Sequence, residues 1–129
     1  MILKGILDAE DARLAVTRRG CADRVDHGGR QLDGALSSIK ALPGIVNEAG
    51  SRTEVRPDGR IRSGQVVLKA MALGAEGTMI GHAFIYGLGA MGEAGVTKAL
   101  QVIAKEPDTT MALCGRTDIR HVDRAAVSS

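Results

Sequence analysis

Asp58-Gly59-Arg60-Ile61-Arg62-Ser63-Gly64 joins the end of one short apolar run to the start of a helical pattern. Upstream, Glu54 to Arg56 reads as a strand, with Pro57 set awkwardly near its end because proline has no N–H to give a ladder. Downstream, Ser63 suits an N-cap, Val66, Val67, Ala70 and Met71 recur on one helical face, and Gly74 is a natural stop. A strand, a glycine-containing polar turn and a capped helix make one βα unit. The turn's backbone N–H groups, with Arg62, are a candidate phosphate cradle at the helix N-terminus.

The same order recurs on both sides. Met1 to Lys4 reads as a strand ending at Gly5. Asp8 then caps a helix with Glu10 and Asp11 in its first turn, Ala12, Ala15 and Val16 on its apolar side and Gly20 as its stop. Ala22 to Val25 is a short strand, followed by a polar loop. Ser37 to Ala41 and Pro43 to Ala49 read as two helical pieces, divided where Pro43 begins a new first turn. Beyond the central unit, Thr78 to Ile80 is the fourth strand. A long helix runs through Val96, Leu100 and Ile103 and stops before Pro107, and a short terminal helix covers Thr110 to Cys114. The final residues read as a frayed tail over 125–129. Strand, loop and helix repeated four times predict an α/β fold with a parallel sheet. Ligands in such sheets gather where strands end and helices begin. Lys4, His27, Asp58 and Gly81 all fall on that edge.

Composition narrows the class. The 129 residues suffice for one domain or a piece of one. With one Phe, one Tyr and no Trp, the core is aliphatic, and the stacking platforms used to bind single-stranded nucleic acid are missing. A net charge of +2 gives no basis for a polyanionic partner. Cys21 and Cys114 lack metal-type spacing and read as reduced thiols of a cytoplasmic protein. His82 and His121 have no carboxylate or second histidine at ligand spacing, so no metal site is expected. No apolar run is long enough to span a bilayer, and Met1 to Gly5 lacks the architecture of a signal peptide.

His27-Gly28-Gly29-Arg30-Gln31-Leu32-Asp33-Gly34 carries the chemistry. An imidazole can accept a proton near neutral pH, and a guanidinium three residues away can hold a carboxylate through two parallel hydrogen bonds. The two glycines allow a turn tight enough for both side chains to face one ligand. That pairing suits proton removal beside a carboxylate. Read as structure alone, the glycines make a turn, and Arg30 pairs with Asp33 on the surface. Ile80-Gly81-His82 offers a second strand end open to a phosphate, and Lys4 could set its ammonium against an electron-rich ring.

Ile2 to Leu7, His27 to Gly34, Asp58 to Gly64 and Ala72-Leu73-Gly74-Ala75 resemble the C-terminal half of the FMN-dependent α-hydroxy-acid dehydrogenases and oxidases. Tyr86 to Ala90 and Met111 to Gly115 fit as well, and the bacterial respiratory L-lactate dehydrogenases are similar throughout. The resemblance implies about strands five to eight of a (β/α)8 TIM barrel, spanning 1–124. It also implies FMN as cofactor and a small L-2-hydroxy acid, lactate above all, as the substrate oxidised to the 2-oxo acid. A quinone, cytochrome or oxygen would take the electrons. His27 would be the base and Arg30 would hold the substrate carboxylate. Lys4 would lie against the N1–C2 edge of the flavin. Asp58, Gly59, Arg62, Gly81 and His82 would wrap its ribityl chain and phosphate.

Departures from the family pattern fall near the site. Arg60 stands where the family has glycine, His82 where it has arginine and Val66 where aspartate is common. Arg56-Pro57 interrupts a strand that is otherwise apolar. The strand before His27 is about three residues short, or about 10 Å at ~3.3 Å per residue. The family barrel needs ~250 residues. Its substrate-binding tyrosine and the aspartate that orients the histidine have no counterpart here. The expectation is therefore a chain inactive in isolation: a non-catalytic half-barrel, or one that pairs with a second copy or a complementary half. Localisation is expected to be cytoplasmic or peripheral to the inner membrane.

Overall fold

Three short strands pair in parallel in the order β1 (Ile2–Ile6), β2 (Ala22–Val25), β3 (Val55–Pro57). The computed structural model describes residues 2–19, 22–25 and 33–127. Lys4, Arg24 and Arg56 lie in register across the sheet. The register slips between Lys4 and Ile6, where Gly5 takes a left-handed φ of 93°. This bulge lets β1 run two residues further than the sequence suggests and turns Ile6 toward the helices.

Helices α1 (Ala9–Arg19) and α2 (Ser38–Ala49) cover one face of the sheet. Asp8 caps α1 as expected, its carboxylate accepting from the Glu10 N–H at 2.8 Å. Ala12 and Val16 from α1, Ala41, Leu42, Ile45 and Ala49 from α2, and Val55 from β3 form the first core cluster. The opposite face carries Ile2, Lys4, Arg56 and Asp58 by strand alternation, and no helix covers it among the described residues.

Several boundaries differ from expectation. Pro43 does not divide its helix: α2 runs unbroken through it. Proline in a helix interior costs about 3 kcal/mol. Full burial of a Leu or Ile side chain is worth about 1.5–3 kcal/mol, so the Leu42 and Ile45 stripe outweighs the lost bond. Helix α3 (Gly64–Ala72) starts at its predicted cap, with the Ser63 hydroxyl accepting from the Val66 N–H at 3.4 Å. The predicted fourth strand over Thr78 to Ile80 reduces to one parallel bridge, Asp58 with Met79. Pro57 explains the shortfall: its carbonyl accepts from the Met79 N–H at 3.0 Å, but it has no N–H to return.

Helix α4 (His82–Leu113) also overrides a predicted stop. It folds back on itself at Met91 and Gly92, which leave helical geometry, and then continues straight through Pro107 to its end. The segment read as a separate terminal helix is its last turn. Pro107 and Met111 are buried against α3, so docking again outweighs the proline. Leu68, Ala72, Met111 and Val122 make a second cluster beneath two 3-10 turns, Ile119–His121 and Arg124–Ala126. Ala126 and Val127 pack onto it.

Candidate functional site at the strand ends

Lys4 and Asp58 meet on the helix-free face. Nζ lies 3.5 Å from the Asp58 carboxylate, with β2 between their strands. Asp58 is fixed from below by its bridge to Met79, and the Glu76 N–H donates to the Val55 carbonyl at 3.0 Å. These bonds lay 76–79 alongside β3 and bring Gly81 to the same edge as Asp58.

The turn after β3 is unusual. Gly59 and Arg60 both adopt left-handed backbone, with φ of 101° and 57°. Ile61, 4 % exposed, anchors the turn to the core side. Ser38 ties it to the start of α2: its hydroxyl, 5 % exposed, donates to the Gly59 carbonyl at 3.4 Å. Sequence reading missed Ser38, because a serine beside an N-cap carries no signal for a contact 21 residues away. Asp33, Gly34, Ser37, Ser38, Gly59 and Arg60 line part of a cavity of about 660 Å³ at this edge.

Two N–H groups at the N-terminus of α3, where a phosphate cradle is expected, are already taken. Ser63 takes the Val66 N–H, and the Glu106 carboxylate from α4 accepts from the Gly64 N–H. An acidic side chain satisfies the positive end of that helix from within. The first turn of α4 differs: Gly81, at its N-cap, supplies no side-chain cap, and a Cβ built on it meets nothing within 4 Å. His82 is exposed beside it, its ring centroid 6.2 Å from that of Tyr86. Arg62 is exposed and lines a groove between the two arms of α4. His27 and Arg30 lie outside the described residues, as does Cys21. Cys114 is an exposed free thiol. No group of three or more His, Cys, Asp or Glu side chains suited to a metal occurs among the described residues.

The donor set fits a phosphorylated anionic cofactor. It comprises one ammonium, the guanidinium groups of Arg60 and Arg62, a left-handed glycine turn and an open glycine at a helix start. Helices on one face of a parallel sheet, with these groups at the strand ends, define part of a (β/α)8 barrel of the cofactor-binding kind.

A family model described as FMN-dependent dehydrogenase matches residues 1–129. The chain belongs to this family, whose cofactor is FMN. An L-lactate dehydrogenase of Caulobacter vibrioides is 47% identical, the match covering 99% of this chain and 34% of the relative. One from Pseudomonas syringae pv. syringae is 48% identical over 95% of this chain and 33% of its own length. Among solved structures, a mandelate oxidase variant with an FMN adduct superposes with a TM-score of 0.88 at 44% identity, covering 95% of this chain and 40% of that one. The monotopic membrane protein (S)-mandelate dehydrogenase gives 0.91 at 37% identity, with 98% and 34% covered. The chain thus spans about a third of the length of the curated relatives it matches.

Proposed function

We propose that this chain is the cofactor-holding part of an FMN-dependent L-2-hydroxy-acid dehydrogenase, with L-lactate as substrate. The observation that carries the reading is the meeting of Lys4 and Asp58 on the helix-free face, beside the left-handed Gly59-Arg60 turn and open Gly81. Family membership and the lactate dehydrogenase relatives support the same reaction class.

Bound FMN would supply the acceptor for two electrons from the substrate carbon. Lys4 would set its ammonium against the N1–C2 edge of the ring, favouring negative charge there. Asp58 and Gly59 would line the ribityl chain, while Gly81, His82 and Arg62 would hold the phosphate. His27 would take a proton from the substrate and Arg30 would hold its carboxylate. These two roles rest on the family motif alone. A quinone, cytochrome or oxygen would collect the electrons. The (S)-mandelate dehydrogenase relative is a monotopic membrane protein, and no helix among the described residues is long and apolar enough to cross a membrane. Peripheral association with the inner membrane is the matching placement.

A second reading has its own support. Ile2 is 59% exposed on the helix-free face, and β1 pairs on one side alone among the described residues. A non-catalytic half-barrel, or one paired with another half, would account for both.

FMN titration with flavin fluorescence, followed by anaerobic L-lactate, separates the two. Tight binding with bleaching of the flavin absorbance is the result expected of a working site. Binding without bleaching supports a holder of cofactor that needs another half. Absence of binding overturns the cofactor role for this chain.

A further inference from the structure

We infer that one face of helix α4 docks on an anionic lipid surface, with Tyr86 and Met91 completing the contact. The inference rests on the peripheral membrane placement proposed above and names the surface that makes it. Along the second arm of α4, Lys98, Val102, Lys105, Thr109 and Leu113 recur at helical spacing, and all are exposed. They form a stripe about 22 Å long at ~1.5 Å per residue. Pro107 and Met111, which pack toward α3, lie on the other side of the helix.

Charge on this stripe has one sign. Of the acidic residues of α4, Glu106 already accepts from the Gly64 N–H. Glu93 and Asp108 sit about 100° or more round the helix from the stripe's centre. Val102 is 43% exposed and Leu113 85%. Across a groove of about 400 Å³ that Lys98 and Val102 also line, Tyr86 and Met91 are each 64% exposed. No acidic side chain lines that groove, and no Asp, Glu, Lys or Arg occurs over 82–92.

Lysines alternating with apolar side chains fit a lipid headgroup layer. Each lysine stem lies along the acyl boundary while its ammonium meets a lipid phosphate. Tyrosine rings concentrate at that depth, where one end is apolar and the other wet. A protein partner would need a packed apolar centre that excludes water. The apolar side chains here are spread along the stripe with cations between them.

Tyr86 is the one tyrosine of the chain, which has no tryptophan, so its fluorescence reports this surface alone. The test adds the 129-residue chain to vesicles of phosphatidylcholine, or of an equal mixture with phosphatidylglycerol, both carrying brominated acyl chains. The mixed vesicles should bind the chain and quench Tyr86. One lysine near an anionic surface is worth about fivefold in partitioning. Lys98→Gln should therefore weaken binding about fivefold, and Lys98→Gln with Lys105→Gln about 25-fold. Both side chains are exposed, so circular dichroism should stay unchanged. Salt at about 1 M should release the unaltered chain as well.

Binding without quenching, and equal in the lysine variants, would overturn the inference while leaving the peripheral placement standing. No binding to either kind of vesicle would overturn both. Self-association that Lys98→Gln or Leu113→Gln abolishes would assign the face to a second copy of the chain and sink the lipid reading.

Discussion

Arg60 holds a left-handed backbone with φ 57°, and among the described residues it is the one non-glycine that does so. Non-glycine residues in that region cost of order 1–3 kcal/mol. Arg60→Gly relieves the strain but gives the unfolded chain more freedom, so the net gain is about 1 kcal/mol. Urea denaturation should show the midpoint rising with an unchanged slope. The glycine expected from the family resemblance at this position thus has a backbone reason. Asp118 is the clearest titrating group. A hydrogen bond from the Arg120 side chain, then one from its backbone N–H, holds the carboxyl down to about 2. Its folded value lies below its unfolded one, so the associated stabilisation is present above about pH 4 and is lost as pH falls toward 2. An NMR titration should place the Asp118 midpoint near 2, and Arg120→Ala should raise it, short of the ordinary aspartate range because the backbone N–H at position 120 still donates.

At the scale of elements, α4 depends on two glycines. Gly87 and Gly95 face each other where the helix folds back, and a Cβ on either would overlap the other's backbone. Gly95→Ala should cost about 2–3 kcal/mol, as overpacking typically does. Hydrogen exchange should rise across 82–90 while α1 and α2 keep their protection. This hairpin was not legible in the sequence. Gly87, Gly89, Gly92 and Gly95 blur the helical period, and none of them announces which will be the fold-back and which the contact. Pro107 misled for another reason: it reads as a stop, yet its ring docks against Gly64. The caps were legible because Asp8 and Ser63 act on neighbours two or three residues away. Asp58 was legible as a strand-end residue, whereas its ion pair across β2 was not, because strand order is not written locally. The Glu106 contact that occupies the start of α3 spans 42 residues and left no local trace either.

Across the whole molecule, α1 and α2 lie on one side of the sheet and Lys4, Arg56 and Asp58 on the other. Ile2 is exposed on that second side, next to the edge of β1 that is unpaired among the described residues. Exposed parallel edges invite further pairing. Sedimentation velocity should reveal concentration-dependent association, and Ile2→Lys should reduce it with little effect on the melting temperature. The βα alternation that predicted this layering is short-range and repeated, so it survived several wrong boundaries. What filled the barrel's inner face could not be read the same way, because alternation assigns a face without saying what meets it.

The Glu106 carboxylate seated on the first turn of α3 has a consequence for how the chain tolerates change. It insulates one helix from the ligand chemistry a few residues away. Substitutions at Glu106 should register in melting temperature while FMN affinity stays level, and substitutions at Gly81 should do the reverse. Robustness and binding are therefore separable traits here, free to drift or to be engineered one at a time.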